Sequence, residues 1–266
     1  MSAAHKNRVL IIGLPKSGTT ILTYRISAAL DNAHIYFEPG KAESLSNETI
    51  HKDIYESRHK SCICKSLFVP IAGHNIEAIE KYYNRKIWIY RDPRDWMISK
   101  FMYRWKNLGD TDIKNHIAKL QSKEQNPSEL AFFKIPNKKF VDRIVYNYEA
   151  LIDAMNALSD DWLILKYEDF VDNHLSELNA YLGVDIDPSV EVDKKHSRVI
   201  RSKTYGNWKL WFNEEDVVYF QERLNPILEK LNYTPLDWEI ENPEQINPEM
   251  GSEYIRKLYN AKNQVV

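Results

Sequence analysis

Residues 8–20 read Arg-Val-Leu-Ile-Ile-Gly-Leu-Pro-Lys-Ser-Gly-Thr-Thr, an apolar run followed directly by a loop that contains two glycines. The apolar run predicts a buried strand, and residues 17–30 have the pattern of a helix that begins with a Ser-Gly-Thr-Thr cap region. A strand that turns through glycine into a helix presents backbone N–H groups and a positive helix end to an anion. The stretch therefore predicts a phosphate-binding loop.

The loop departs from the nucleoside-triphosphate pattern G-x-x-x-x-G-K-[ST]. Gly13 and Gly18 have the spacing of its glycines, but Thr19 stands where the lysine is required, and Lys16 lies in the middle of the loop. The departure weakens the interpretation of the chain as a P-loop kinase or nucleotide hydrolase, which stays open as an alternative.

The remaining apolar runs set the expected fold class. Segments with helical periodicity lie between these runs. This alternation predicts an α/β fold with a mostly parallel central sheet flanked by helices. We expect one domain over residues 1–266, with a core over about 8–233 and a peripheral extension over about 234–266 that ends in a helix at 252–261. Residues 107–138 are polar and weakly periodic, so we expect short helical pieces at most, in a mobile lid or a surface excursion. The predicted strands are residues 9–12, 34–37, 61–64, 86–90 and 162–165, and the predicted amphipathic helices cover 98–105 and 141–155.

Composition limits the partners of the chain. The formal net charge of −2 gives no global field that would attract nucleic acid or a membrane surface. No segment approaches the roughly 18 uncharged apolar residues of a membrane span, so we expect a cytoplasmic, soluble protein. Cys62 and Cys64 are two residues apart on a predicted strand, and without a second Cys/His pair at zinc-like spacing they are expected to be core residues.

The loop Pro15-Lys-Ser-Gly-Thr-Thr20 resembles the 5′-phosphosulfate loop of the sulfotransferases, which use 3′-phosphoadenosine-5′-phosphosulfate (PAPS) and release 3′-phosphoadenosine-5′-phosphate (PAP). The resemblance implies a P-loop NTPase-like sulfotransferase fold and a PAPS site without metal. It places the donor phosphosulfate at Pro15, Lys16, Ser17, Gly18, Thr19 and Thr20.

Three further motifs follow in the order that this family has. Arg91-Asp-Pro followed by Ser99 is similar to its 3′-phosphate motif, in which a guanidinium and a hydroxyl bind one terminal phosphate. Tyr167 in Tyr-Glu-Asp is similar to a tyrosine near the adenine. The segment 201–209 resembles the R-K-G-x-x-G-D-W-K loop, which implies that Arg201 binds the 3′-phosphate and that Lys203 substitutes for a displaced basic residue.

The resemblance also assigns chemical roles. Lys16 would stabilise the leaving phosphate oxygen, and Lys65, at the end of the third predicted strand, would assist at the sulfuryl group. The histidine of the small-molecule branch is absent after Lys65, whereas Glu38-Pro39 is similar to the Glu-Pro segment of carbohydrate-modifying branches, so Glu38 is the expected general base. Histidines 51, 59 and 74, on the segments between strands, stay open as alternative bases, although each is expected to be a polar surface residue.

The sequence thus predicts a sulfotransferase that acts on a hydroxyl-bearing small molecule, sugar or lipid, with a sugar or glycolipid favoured by Glu38-Pro39. A sulfotransferase for small phenols or alcohols, and a non-catalytic module that keeps the nucleotide site, stay open beside the kinase alternative. Oligomeric state cannot be deduced from these residues.

Overall fold

The computed structural model describes residues 7–104, 108–135, 138–199, 202, 204–233 and 236–263. The chain divides into two compact units, residues 1–91 with 150–197, and residues 92–149 with 198–266. In chain order the elements are β1 (Asn7–Gly13), α1 (Thr19–Ala29), β2 (His34–Phe37), α2 (Glu48–Glu56), β3 (Ser61–Leu67), α3 (Ile76–Glu80), β4 (Arg85–Tyr90), α4 (Pro93–Met102), α5 (Asp110–Gln125), α6 (Lys138–Asn156), β5 (Trp162–Lys166), α7 (Tyr167–Val171), α8 (Ser176–Leu182), α9 (Trp208–Trp211), α10 (Glu214–Lys230) and α11 (Ser252–Asn263). Single 3₁₀ turns occur at Lys41–Glu43, Pro70–Ala72, Phe132–Lys134, Lys194–Val199 and Pro248–Met250.

The first unit is built on a five-stranded sheet in the order β2-β3-β1-β4-β5. Every neighbouring pair of strands is parallel, which confirms the predicted parallel α/β architecture. Helix α1 packs on β1 and β3, and α7 and α8 pack on β5. Because all strands run in one direction, their carboxyl ends meet at one edge of the sheet, which is where ligands bind in open α/β sheets.

The predicted strands are correct in position: β2 has the predicted bounds, and the other four are longer than predicted. The run at 61–64 continues to Leu67, so Lys65 lies inside β3 and not at its end. Side chains on both faces of β1 are buried, as a covered parallel sheet requires. Cys62 and Cys64 are free, fully buried core residues, as predicted.

The second unit is helical in its described residues, and it corrects two expectations. Residues 110–125 form α5, a helix of 16 residues, where only short pieces were expected. Its buried residues Ile113, Ile117 and Leu120 follow the helical spacing. The predicted final helix is present as α11, but it is anchored and not peripheral, because the buried Glu124 carboxylate accepts hydrogen bonds from Ser252 N at 2.6 Å and from Ser252 Oγ at 2.5 Å.

Candidate functional site

The predicted phosphate-binding loop follows β1 in a tight turn. Ser17 N donates to the Leu14 carbonyl at 3.1 Å, with Pro15 and Lys16 at the two central positions. Lys16 has a φ of 79°, a left-handed conformation that a type II turn requires at this position and that glycine or asparagine normally supplies. A lysine in that conformation costs about 1–2 kcal/mol, so the loop holds its cation in a strained backbone.

Helix α1 begins at a residue that has no side chain with which to cap it. Gly18 is the N-cap with a φ of 87°, and no acidic residue occupies the first turn. The predicted cap region therefore does not cap the helix. Ser17 Oγ is buried and finds no hydrogen-bond partner among the described residues. Free amides, a positive helix end and an unsatisfied hydroxyl together suit an anion.

Tyr167 connects the loop to Arg91. A Cβ on Gly18 would lie 2.5 Å from Cδ2 of the Tyr167 ring, so the ring occupies the space that any side chain at position 18 would need. The Arg91 guanidinium lies over the same ring, with Cζ 4.3 Å from its centroid. Tyr167 follows β5 and Arg91 follows β4, and both side chains are buried. The structure thus brings together three of the residues predicted to bind the donor nucleotide.

Glu38, which directly follows β2, forms an ion pair with Lys65 inside β3. Lys65 Nζ donates to Glu38 Oε1, and the backbone is joined at the same place because Glu38 N donates to the Lys65 carbonyl at 2.7 Å. The Lys65 side chain is only 5% exposed, whereas that of Glu38 is 40% exposed. Burial lowers the pKa of Lys65, and the carboxylate of Glu38 opposes that shift. The partners are 27 residues apart in sequence, and the parallel pairing of β2 with β3 brings them together.

Of the other predicted donor-site residues, Thr19 and Thr20 begin α1 in the first unit, and the rest lie in the second unit or outside the described residues. Ser99 is buried on α4. Arg201 and Lys203 lie outside the described residues, although the segment that follows them is fixed: Asp95 of α4 accepts hydrogen bonds from Gly206 N at 2.5 Å and from Trp208 N at 3.1 Å. No finding assigns a role to these side chains, and their roles stay predictions.

Arg94, the second arginine of the Arg-Asp-Pro-Arg-Asp stretch, makes contacts that stabilise the start of α4. Its guanidinium pairs with Asp92 at 2.6 Å, and its Cζ lies 4.1 and 4.9 Å from the ring centroids of Trp208 and Trp238. Asp92 also caps α4 by accepting from Arg94 N at 2.8 Å. Within this motif the two arginines therefore differ, because Arg94 supports the helix start while Arg91 stacks on Tyr167.

His196 is a residue near the ion pair that sequence reasoning missed. Its ring lies against Phe37, the residue before Glu38, with centroids 4.4 Å apart, and its Nδ1 lies 2.7 Å from the Tyr24 hydroxyl of α1. Lys65 Nζ is 6.0 Å from the centroid of the same Phe37 ring. Nothing in the sequence around His196 resembles a motif, and only the fold brings position 196 to the end of β2.

The described residues contain neither a metal-binding cluster nor a membrane-spanning helix. No group of three or more histidine, cysteine, aspartate or glutamate side chains within those ranges is arranged to hold a metal ion. No helix of the described chain is long and apolar enough to span a membrane.

The parallel sheet and the loop after β1 place the fold in a known structural class. No family model matches the sequence, and no curated protein matches it. Among solved structures the chain is similar to the mouse sulfotransferase SULT7A1 complexed with PAP, at 15% identity and a TM-score of 0.50, over 87% of each chain. It is similar to the same degree, 15% and 0.50, to a retinol dehydratase in complex with androsterone and the inactive cofactor PAP, over 87% of this chain and 82% of that one. The chain therefore has the sulfotransferase fold, as its motifs predicted.

Proposed function

We propose that this chain is a sulfotransferase that moves a sulfuryl group from PAPS to an acceptor hydroxyl. The observation that carries the proposal is the loop after β1. An uncapped helix end, the cation of Lys16 and the buried Ser17 Oγ, which has no partner within the described part of the chain, occur there within four residues. This set suits a phosphate or sulfate group, because it offers hydrogen-bond donors and positive charge without a competing carboxylate in the first helical turn.

The second support is the Tyr167–Arg91 stack beside the loop. A nucleotide that carries a second phosphate needs a cation away from the first, and Arg91 follows β4 while Lys16 follows β1. A guanidinium can bind two phosphate oxygens at once, and its stacking on a tyrosine ring fixes its plane. The residues present thus fit PAPS, and the family resemblance adds Ser99, Arg201 and Lys203 as further predicted ligands of the 3′-phosphate.

Lys16, Lys65 and Glu38 have different roles in the proposed reaction. The donor supplies an activated sulfuryl group when it is bound. Lys16 neutralises the negative charge that develops on the phosphate oxygen as the S–O bond breaks, and Lys65 stabilises the transferred group. Glu38 accepts the proton of the acceptor hydroxyl as the new O–S bond forms, which its 40% exposure permits and its ion pair with Lys65 orients.

We propose a sugar or glycolipid hydroxyl as the acceptor. Support for this finer statement comes from the Glu38-Pro39 segment and from the position of Glu38, whose carboxylate pairs with the lysine proposed to hold the sulfuryl group. Small phenols and alcohols are the competing acceptors. A panel that contains methyl galactoside and p-nitrophenol distinguishes the two classes with PAPS as the common donor.

The first test is a thermal shift with PAP, with ATP plus magnesium as the comparison. A ligand that binds the native state raises the melting temperature, so PAP is expected to raise it and ATP with magnesium is not. Arg91→Ala should abolish the shift, whereas Arg85→Ala is the matched control because Arg85 begins the same strand, β4, that Arg91 follows. A shift with ATP and magnesium alone would favour the kinase interpretation and overturn the proposal.

Two substitutions then separate binding from chemistry. Glu38→Gln should keep the PAP shift and lose most of the sulfuryl transfer, because the amide cannot accept the acceptor's proton. Lys16→Ala should lose transfer as well, with weaker donor binding. A Glu38→Gln enzyme as active as the wild type would remove Glu38 from the role of base, and an unchanged Lys16→Ala enzyme would show that the loop does not hold the phosphosulfate.

A further inference from the structure

The segment that begins with Glu38 is held in an unusual backbone conformation. Glu38, Gly40 and Lys41 have positive φ angles of 48°, 75° and 55°. For residues other than glycine this conformation is disfavoured, and Glu38 also precedes Pro39, a position that normally favours extended backbone. A segment with this conformation persists only where its surroundings fix it, so the question is what fixes Glu38–Ser44.

One anchor comes from His51 on α2. Its Nε2 lies 2.5 Å from the carbonyl oxygen of Ser44, and its Nδ1 lies 2.6 Å from the hydroxyl of Tyr83. A carbonyl only accepts, so Nε2 carries the proton. Nδ1 of the neutral ring must then accept, and the Tyr83 hydroxyl donates to it. His51 is fully buried, contrary to the surface position expected from the sequence, and burial lowers its pKa, which keeps the ring neutral.

A second anchor joins the same residue to the sheet. Ser44 Oγ lies 2.6 Å from Ser66 Oγ, and both serines are buried. Ser66 follows Lys65 on β3, and the Lys65 carbonyl accepts a hydrogen bond from the backbone N–H of Glu38. Both ends of the segment are therefore tied to adjacent residues of one strand. His51 restrains the Ser44 end through its carbonyl while Ser66 restrains it through its hydroxyl.

Helix α2 also packs against the middle of the segment. A Cβ on Gly40 would lie 2.6 Å from Cδ1 of Ile50, so the backbone there contacts the residue that precedes His51. The carboxylate of Glu38 is thus attached to a short segment whose backbone contacts come from β3 and from one turn of α2.

We propose that His51 is a positioning residue: its Nε2–H fixes the Ser44 carbonyl and thereby holds the Glu38–Ser44 segment so that the Glu38 carboxylate stays on Lys65. The role of this position in catalysis rests on the proposed sulfuryl transfer. The position of the segment itself does not, and it can be measured separately.

The test compares His51→Gln with His51→Asn. The amide nitrogen of glutamine reaches the position of Nε2 and can donate to the Ser44 carbonyl, whereas the asparagine amide reaches only the position of Nδ1 and can pair only with Tyr83. Hydrogen–deuterium exchange of the peptide that covers residues 38–47 reports the segment directly. We expect exchange in this peptide to accelerate about tenfold in His51→Asn and to stay within about twofold of wild type in His51→Gln, tenfold being the effect of losing one buried hydrogen bond.

Turnover and donor binding provide the second measurement. With PAPS and the better of methyl galactoside and p-nitrophenol, kcat should fall about tenfold in His51→Asn, while the affinity for PAP stays within about twofold, because the loop after β1 is untouched. His59→Asn is the matched control: it also removes an imidazole, but its ring stacks on His34 at 4.0 Å and not on the segment. It should leave both exchange and kcat unchanged.

Several outcomes would overturn the proposal. A folded His51→Asn protein with wild-type exchange over residues 38–47 would do so, as would equal losses in the Gln and Asn variants. If both variants fail to fold, Tyr83→Phe keeps the histidine and removes the hydroxyl that holds Nδ1 and so restrains the orientation of the ring. Exchange of the same peptide should then rise several-fold, and no rise would refute the inference. Failure of wild type to bind PAP or to transfer sulfuryl groups would instead refute the proposed function, and the exchange data would still decide the role of His51 in the segment.

Discussion

Gly18→Ala tests the geometry of the candidate donor site, because it changes the contact between the loop and Tyr167 by one methyl group. The added Cβ would lie 2.5 and 2.7 Å from two carbon atoms of the Tyr167 ring, about 1 Å closer than an ordinary van der Waals contact. It would also stand on a backbone with a φ of 87°. The ring must therefore move, and the Arg91 guanidinium that lies 4.3 Å from its centroid must move with it.

Gly183→Ala separates the free-energy cost of the left-handed backbone from the cost of the overlap with the Tyr167 ring. Gly183 ends α8 with a φ of 72°, and a Cβ there would meet nothing within 4 Å. The left-handed backbone costs about 1–2 kcal/mol with alanine, offset by about 0.4–1 kcal/mol from the stiffer unfolded chain. Overpacking adds about 1–3 kcal/mol at Gly18 alone. We expect a loss of about 1 kcal/mol for Gly183→Ala and of about 2–4 kcal/mol for Gly18→Ala.

Urea unfolding of both variants measures the difference in the free energy of unfolding. The combined variant Gly18→Ala/Tyr167→Ala provides the pairwise term, since the overlap disappears with the ring. Equal losses in the two alanine variants, or strict additivity of Gly18→Ala with Tyr167→Ala, would refute the placement of the Tyr167 ring on Gly18. A Gly18→Ala protein that binds PAP as well as wild type would show that this contact does not serve the donor.

Three further outcomes follow from local chemistry. Lys16→Gly should unfold at the same or a higher urea concentration than wild type, because glycine relieves the φ of 79°, yet it should lose the thermal shift with PAP. Burial and nearby cations lower the pKa of His116 from 6.5 to about 4, so the unfolded chain binds a proton first, and stability should fall as the pH drops from 6.5 towards 4, by at most about 1.4 kcal/mol per pH unit. Urea unfolding at pH 7 and pH 5 should show this slope in wild type and a smaller one in His116→Phe. Burial raises the pKa of Cys64 to about 11, so a thiol reagent at pH 7.5 should label it only after denaturation, and rapid labelling of the native protein would contradict its position in the core.

The sheet could be predicted from sequence because a covered parallel strand leaves a direct signal. Each strand is a short run of apolar residues, and the chain alternates these runs with helical patterns. The loop after β1 could be located for the same reason, since its glycines and Lys16 follow such a run at once. The identity of the anion was predicted from the resemblance of the residues themselves, and it stays a proposal.

The elements that were predicted wrongly carry buried polar groups. Helix α5 buries Ile113, Ile117 and Leu120 at helical spacing. Lys123 and Glu124 are buried on the same helix, and because they are charged, the sequence does not show a continuous apolar face. His51 gave no sign of burial, because the groups that satisfy its two nitrogens, Ser44 and Tyr83, are 7 and 32 residues away. A buried polar side chain is stable only with its partners, and partners that distant cannot be identified before the fold is known.

Each of the five strands contributes one group to the candidate site, four of them from the residues that follow the strand and β3 from within it. Strand β1 leads into Lys16, β2 into Glu38, and β4 and β5 into Arg91 and Tyr167, while Lys65 lies on β3. Because the strands are parallel, all five groups lie at the same edge of the sheet, whatever the sequence of the segments that connect the strands. Three of the five are cations and one is a carboxylate, in a chain whose formal net charge is −2. Attraction for the proposed anionic donor would therefore be local, because strand direction gathers these cations while the overall charge of the protein is slightly negative.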